Sequence, residues 1–201
     1  MPRQYRLKKR AKDQAETRTR IVEATISLHQ EIGGPATTIS AIAERASVER
    51  ATVYRHFPDE RALLQGCTGH YLSQNPPPNP AKWAGIDNRI ERLQIALADI
   101  YAYHRRTEAM MARAIIDIPQ MPVLAAVLSP MFAYWESVRD LLAAPWAGEE
   151  KASLYQAAIG HAIAFQTWQS LVRNEGIPDD AAVELMMGMV CAALAQPPCG
   201  V

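Results

Sequence analysis

Hydrophobic positions in the first third of the chain recur at spacings of three and four, the period of helices with one buried face. Between Asp13 and Ile32 the positions Ile21, Ala24, Thr25, Leu28 and Ile32 form one stripe. Gly33-Gly34-Pro35 ends it, with glycine just past the last turn and proline behind it. Thr38 suits the N-cap of a second helix that runs to about Ala46, with Ile39, Ile42, Ala43 and Ala46 inward. Ser47-Val48-Glu49 predict a turn. A third short helix follows over about Arg50–Phe57 and stops before Pro58, because proline drives its predecessor out of α geometry. Its inner face carries Val48, Val53 and Phe57, and its outer face Arg50, Thr52, Tyr54, Arg55 and His56.

Asp59 can cap a fourth helix bearing Leu63, Leu64, Cys67 and Tyr71. The run NPPPNP at Asn75–Pro80 cannot be helix interior and predicts a loop. Beyond it Ile90, Leu93, Leu97, Ile100, Tyr101 and His104 share a stripe. A separate helix is expected after Thr107, ending near Ile118 where Pro119 and Pro122 interrupt. Ser129-Pro130 reads either as the N-cap and first turn of another helix or as a kink in a longer one. Two long helices are expected last, over about 149–174 and 179–196. Alternating β-branched runs are absent, so the expected fold is all-α with about nine helices.

The 201 residues are 49% hydrophobic, enough for a packed core. Net charge is zero, but it is unevenly placed. Residues 1–61 hold 12 Lys/Arg against 8 Asp/Glu, and residues 62–201 hold 9 against 13. Positive charge therefore gathers on the side that carries the third helix, and residues 1–12, MPRQYRLKKRAK, read as a solvated basic arm able to add phosphate contacts. No apolar h-region follows the charged N-terminus, and no run approaches a membrane span, so a cytoplasmic protein is expected. Cys67, Cys191 and Cys199 are too few and too scattered for a disulfide framework or a zinc cluster.

The exposed face of the third helix has the chemistry of a groove reader. Arg50 and Arg55 can neutralise phosphates or bind guanine edges in a bidentate fashion, and Thr52, Tyr54 and His56 can reach phosphate oxygens. At this point the segment from Arg18 to Leu64 resembles the N-terminal DNA-binding domain of the TetR (tetracycline repressor) family of transcription regulators. The matching pieces are ATTISAIAERASV and RATVYRHF-PDERALL. The resemblance implies a three-helix helix-turn-helix domain followed by an all-helical ligand-binding and dimerisation domain. The division is then 1–12 arm, 13–58 DNA-binding domain and 59–201 effector and pairing domain. By position it implies phosphate contacts at Thr38 and Ser40, base-edge contacts at Arg50 and Ala51, and phosphate or base contacts at Thr52, Tyr54, Arg55 and His56. Three residues depart from the family pattern. Ser47 replaces glycine in the turn, at a cost of about 1 kcal/mol if φ is positive there. Glu49 replaces the usual serine cap, and Glu60 stands where many members hold a phosphate with lysine, leaving the adjacent Arg61 as a substitute.

The resemblance further implies a homodimer on a palindromic operator, since two reading heads must meet half-sites about one helical turn or a multiple apart. The last two helices suit that pairing through small and apolar residues, with Ala158, Ala162, Leu185, Met186, Met189 and Ala193 as the named positions. It also implies a cavity that takes a small releasing molecule. Wall candidates are Tyr101, His104, Met111, Asp117, Trp135, Phe165, Trp168 and Gln169, with Gln166 as a further polar candidate, and their composition points to an apolar or aromatic effector. No cofactor or metal is expected. The rival reading is a helical small-molecule or metal-binding protein, or an enzyme, with no DNA role. No phosphate loop, nucleophile elbow or HExxH motif supports an enzyme, and the five histidines lack ligand spacing.

Overall fold

The computed structural model describes residues 3–192, and the regular elements among them are all helices. They are α1 (Arg3–Ile32), α2 (Ile39–Arg45), α3 (Arg50–His56), α4 (Glu60–Gln74), α5 (Ala81–Ala84), α6 (Arg89–Asp117), α7 (Pro122–Ala143), α8 (Ala152–Ala162), α9 (Phe165–Gln169) and α10 (Asp179–Ala192). Short 3-10 turns follow α6 and α7, and a π-helical turn over Ser170–Asn174 follows α9. The all-α expectation holds, with ten helices in the described residues where about nine were expected.

The chain forms two compact units: Met1–Pro76 with Ala109–Ser129, and Pro77–Glu108 with Pro130–Val201. The boundary read from the sequence at residue 58 falls inside the first unit, because α4 buries Leu63 and Cys67 in the same core as α1–α3. That core is built from Ile21, Val22 and Leu28 of α1, Ile42 and Ala43 of α2, and Val53 and Phe57 at α3. The α1 stripe is legible in it with one exception: Ile32, expected inward, is 43% exposed at the last turn. The basic segment near the N-terminus is a second departure, since α1 begins at Arg3 rather than after a tail.

The first unit also contains the end of α6, seated against the α1–α2 turn. Gly33 has φ +85°, and a Cβ placed on it would lie 2.9 Å from Arg113 Nη2 and 3.1 Å from Asp117 Oδ1. The Gly34 amide donates to Asp117 Oδ2 over 2.7 Å. The glycine pair thus does more than end a helix: it lets a neighbouring helix end come close.

The second unit is cored by Trp83, Leu93, Leu97, Ile100, Tyr101, Val138, Leu142, Trp146, Ile159 and Trp168, each fully buried or within 1% of it. Trp83 donates to Asp99 Oδ2 over 2.9 Å, and Tyr134 donates its hydroxyl to the Pro78 carbonyl, tying down the proline-rich loop.

Two helix boundaries differ from the sequence expectation for identifiable reasons, and Pro130, left open between a helix start and an interior position, proves to be interior. Thr107 starts no helix; it sits inside α6, and its hydroxyl bonds back to the Tyr103 carbonyl over 2.8 Å. Pro130 lies inside α7, which starts at Pro122. Proline cannot donate to the Ala126 carbonyl one turn back, and the Ser129 hydroxyl does so instead, over 3.0 Å. The expected helix over 149–174 is split. Ala164 is extended (ψ 138°), so α8 ends at Ala162 and α9 starts afresh at Phe165. The break frees the carbonyls of Ala162 and Ile163. Tyr101 donates its hydroxyl to the first at 3.0 Å, and His104 Nε2 meets the second at 2.9 Å.

Candidate nucleic-acid interface

The frame of the reading head is set by local backbone chemistry. Thr38 is extended and its Oγ1 accepts from the Ala41 amide at 3.1 Å, which starts α2. That cap occupies the hydroxyl as acceptor and leaves its proton free to donate to a phosphate. The α2–α3 turn places Ser47 at φ +53°, the left-handed conformation that glycine adopts most readily. Ser47 and Val48 amides then return to the carbonyls of Glu44 and Ala43 at 3.0 and 2.9 Å. Glu49 is the N-cap of α3 but makes no side-chain cap bond. Asp59 does cap α4, accepting from the Ala62 amide at 2.7 Å.

The inner and outer faces of α3 separate as expected. Val53 and Phe57 are 0% and 2% exposed. Arg50, Ala51, Tyr54 and Arg55 are exposed, with Thr52 and His56 half-buried, and Thr38 and Ser40 are exposed at the start of α2. All eight sequence-derived contact residues thus lie on two adjacent short helices with polar or small side chains reaching solvent. Arg55 Nη2 also donates to Thr52 Oγ1 at 3.3 Å, holding the guanidinium along the helix surface. Arg45 forms a bidentate pair with Glu31 at 2.8 Å per bond and a third bond to Ser27, bracing the end of α2 against α1. That arrangement pulls the Glu31 carboxyl down to about 2, first through its hydrogen bond with Arg45.

One contribution was not read from the sequence. Arg18 of α1 stacks over the Phe57 ring, 4.5 Å from its centroid. A Cβ at Gly66 would lie 2.7 Å from Phe57 Cε1, so this glycine admits the ring. Gln14, Ala15 and Arg18 of α1 face Arg55 and His56 of α3 across a cleft of about 290 Å³. Two guanidinium groups and an imidazole on its walls suit a phosphate. Burial, with help from Arg55 and Arg18, holds His56 below the usual imidazole range. The signal available in the sequence was Gln14 and Arg18 one helical turn apart, within a segment treated only as core-facing.

The effector candidates do not form one group. Tyr101, His104, Trp135, Phe165 and Trp168 come together in the second unit, with His104 5.5 Å from Phe165 and 5.7 Å from Trp135, ring centre to ring centre. Gln169 is half-buried and Gln166 exposed. Met111 and Asp117 belong to the first unit, and Asp117 is bonded to Gly34 there. The pairing candidates divide as well. Leu185 and Met189 are 46% and 50% exposed on α10, and Ala158 is half-buried, whereas Ala162 and Met186 lie in the protomer's own core. Ala193 lies outside the described residues. Leu154 of α8, 49% exposed, joins the exposed apolar set without having been read from the sequence. Among the described residues no group of three or more His, Cys, Asp or Glu could hold a metal ion, and no helix is long and apolar enough to cross a membrane.

A short basic helix propped by two others, with its apolar side buried and its polar side presented, defines a helix-turn-helix DNA-binding protein. The family described as "Bacterial regulatory proteins, tetR family" matches residues 21–67. Over 107 residues the chain is 35% identical to the HTH-type transcriptional repressor KstR of Rhodococcus jostii (strain RHA1), covering 48% of this chain and 47% of that protein. The chain spans about half the length of the curated relatives it matches. Among solved structures, a TetR-like transcriptional regulator from Rhodococcus sp. RHA1 has the same fold at TM-score 0.63 and 18% identity, covering 89% of this chain and 95% of that one. NalD of Pseudomonas aeruginosa, a secondary repressor of a multidrug efflux pump, aligns at TM-score 0.58 and 18% identity over 90% and 96% of the two chains. Residues 21–67 thus match the DNA-binding segment of the tetR family, and the chain shares its fold with the solved TetR-like structures.

Proposed function

We propose that the chain is a ligand-responsive transcriptional regulator, acting as a repressor, that binds a palindromic operator as a homodimer in the cytoplasm and is released by a small, mainly apolar or aromatic molecule. The observation that carries this reading is the exposed Arg50–Thr52–Tyr54–Arg55 face of α3, fixed on a buried Val53–Phe57 side and flanked by the Arg18–Arg55–His56 cleft. Phosphate contacts from Thr38, Ser40 and the cleft set the position on the duplex, and Arg50 and Ala51 read base edges.

Pairing is supported by the apolar stripe Leu185, Gly188, Met189 and Ala192 on α10, beside Leu154 on α8. Among the described residues a Cβ at Gly188 would meet nothing within 4 Å, so none of them asks for a glycine there, whereas a close helix from a second copy would. A ligand that prefers the arrangement with misplaced heads lowers operator affinity by the ratio of its affinities for the two arrangements. The relatives named as repressors favour repression over activation.

The test is selection of bound fragments from random duplexes, followed by titration against salt. A palindromic consensus, with affinity falling steeply between ~50 and ~200 mM salt, is expected. A small-molecule-binding protein without a DNA role would give no consensus and no salt slope.

A further inference from the structure

His104 is 1% exposed, and only one of its two ring nitrogens is bonded. Nε2 lies 2.9 Å from the Ile163 carbonyl, while Nδ1 is buried without a hydrogen-bond partner among the described residues. A carbonyl oxygen only accepts, so Nε2 must carry the proton. The helix break at Ala164 is what makes that carbonyl available, and it therefore fixes the tautomer. Nδ1 is left with a bare lone pair, an acceptor held in an apolar surround. Buried polar groups of this kind nearly always have a partner. The neighbouring Tyr101 does not supply one, because its hydroxyl proton is committed to Ala162.

Around the imidazole stand the rings of Tyr103, Trp135, Phe165 and Trp168, with centroids 5.5–6.1 Å away. Tyr103, Phe165 and Trp168 are buried, whereas Trp135 and its neighbour Tyr134 on α7 are half-buried. Burial also holds His104 neutral well below neutrality. A carboxylate would place its negative oxygens against the lone pair, and any full charge would lose its hydration among the rings.

We propose that His104 Nδ1 is the group that selects the effector, accepting a hydrogen bond from a hydroxyl or N–H donor on a neutral molecule with an aromatic or otherwise apolar body. This rests on the reading of the second unit as the effector-binding part and adds the chemical class it takes. The aromatic rings supply affinity for the body; His104 supplies discrimination, because a ligand without a donor leaves the acceptor unpaired.

The test has two parts, both on the full chain. Nitrogen-15 NMR of labelled histidine should find His104 protonated at Nε2 and bare at Nδ1 near pH 7; the opposite tautomer overturns the proposal. NMR titrations should then compare 2-naphthol, 2-methoxynaphthalene and naphthalene, which share one body and differ in the donor. Binding of 2-naphthol on the order of 10-fold tighter than its methyl ether is expected, with a shift of the Nδ1 resonance. His104→Phe should erase that preference while still binding the bodies, and the wild-type comparison stands even if the variant does not fold. Equal affinity for all three overturns the donor proposal and leaves the effector site standing. No binding of any up to about 1 mM overturns both. Duplex binding, scored separately, is untouched by either outcome.

Discussion

The Gly34 amide donates to Oδ2 of Asp117 across 2.7 Å, joining residues 83 positions apart in the first unit. Gly34 is buried and Asp117 is 5% exposed, so neither group has water to fall back on. Asp117→Ala strands a buried N–H, which costs about 1–3 kcal/mol. Asp117→Asn keeps a carbonyl oxygen in reach and should lose much less. Urea unfolding of the two variants tests this. Equal losses would mean that the negative charge, not the acceptor, matters at this point.

The glycines of the same turn should not be equivalent. Gly33 has φ +85°, so alanine there is strained by about 1–2 kcal/mol before any contact is counted. It also presses on the tip of Arg113. Gly34 has no such backbone demand, and its added methyl meets Met121 Sδ at 2.5 Å, an atom near the end of a flexible chain that can swing away. Gly33→Ala should therefore lower the midpoint of unfolding clearly more than Gly34→Ala. The reverse order would place the constraint in packing against Met121.

Ser47 is the one non-glycine residue at positive φ among the described residues. Ser47→Gly removes a left-handed penalty of about 1 kcal/mol and adds chain entropy to the unfolded state, for a net gain of up to about 1 kcal/mol. Thermal unfolding should show a raised midpoint with operator affinity unchanged, since Ser47 is in the turn and not on the reading face. A drop in the midpoint would show that the serine makes a compensating contact.

What was legible in the sequence was what local pattern determines. Val53 and Phe57 fall inward, and Tyr54 and Arg55 outward, because a seven-residue helix with one apolar side has a single way to lie on α1. Thr38 could be assigned as a cap because a hydroxyl three residues before an amide needs no distant partner. Distant partners decided what was missed. The break at Ala164 is stabilised by Tyr101 and His104, about 60 residues earlier, so a run of alanines and isoleucines there reads as continuous helix. Asp117 carries no sign in the sequence that it serves Gly34 rather than a ligand. Thr107 failed as a helix start because threonine can cap forward or bond backward, and burial within a longer helix selected the second.

On the proposed reading Arg50 meets a base edge and Tyr54 a phosphate, so the two separate base reading from phosphate holding. Arg50→Ala should weaken operator binding and relax sequence preference by ~1–3 kcal/mol at the position it contacts. Tyr54→Phe should weaken binding to all sequences alike, since a phosphate contact carries no base information. Binding measured against the operator and against single-base variants distinguishes the two. Unchanged affinity in both variants would remove α3 as the reading helix.

His104 gives the second unit a pH dependence whose sign follows from its burial. Loss of solvent lowers its pKa from 6.5 to about 4, with the bond to the Ile163 carbonyl opposing in part. The unfolded chain therefore takes up a proton before the folded one does. The contribution of the neutral ring is fully present above pH 6.5 and is lost as pH falls toward 4. By pH 5 the loss should reach about 2 kcal/mol. His29 and His56 shift in the same direction, so the wild-type curve alone does not isolate His104. His104→Gln does, because its amide can still donate to Ile163 and does not titrate. Urea unfolding at intervals between pH 7.5 and 5 should show wild type losing that additional stability relative to the variant. Parallel curves would mean that the imidazole finds a proton acceptor or water in the folded state and is not held in the dry aromatic surround described above.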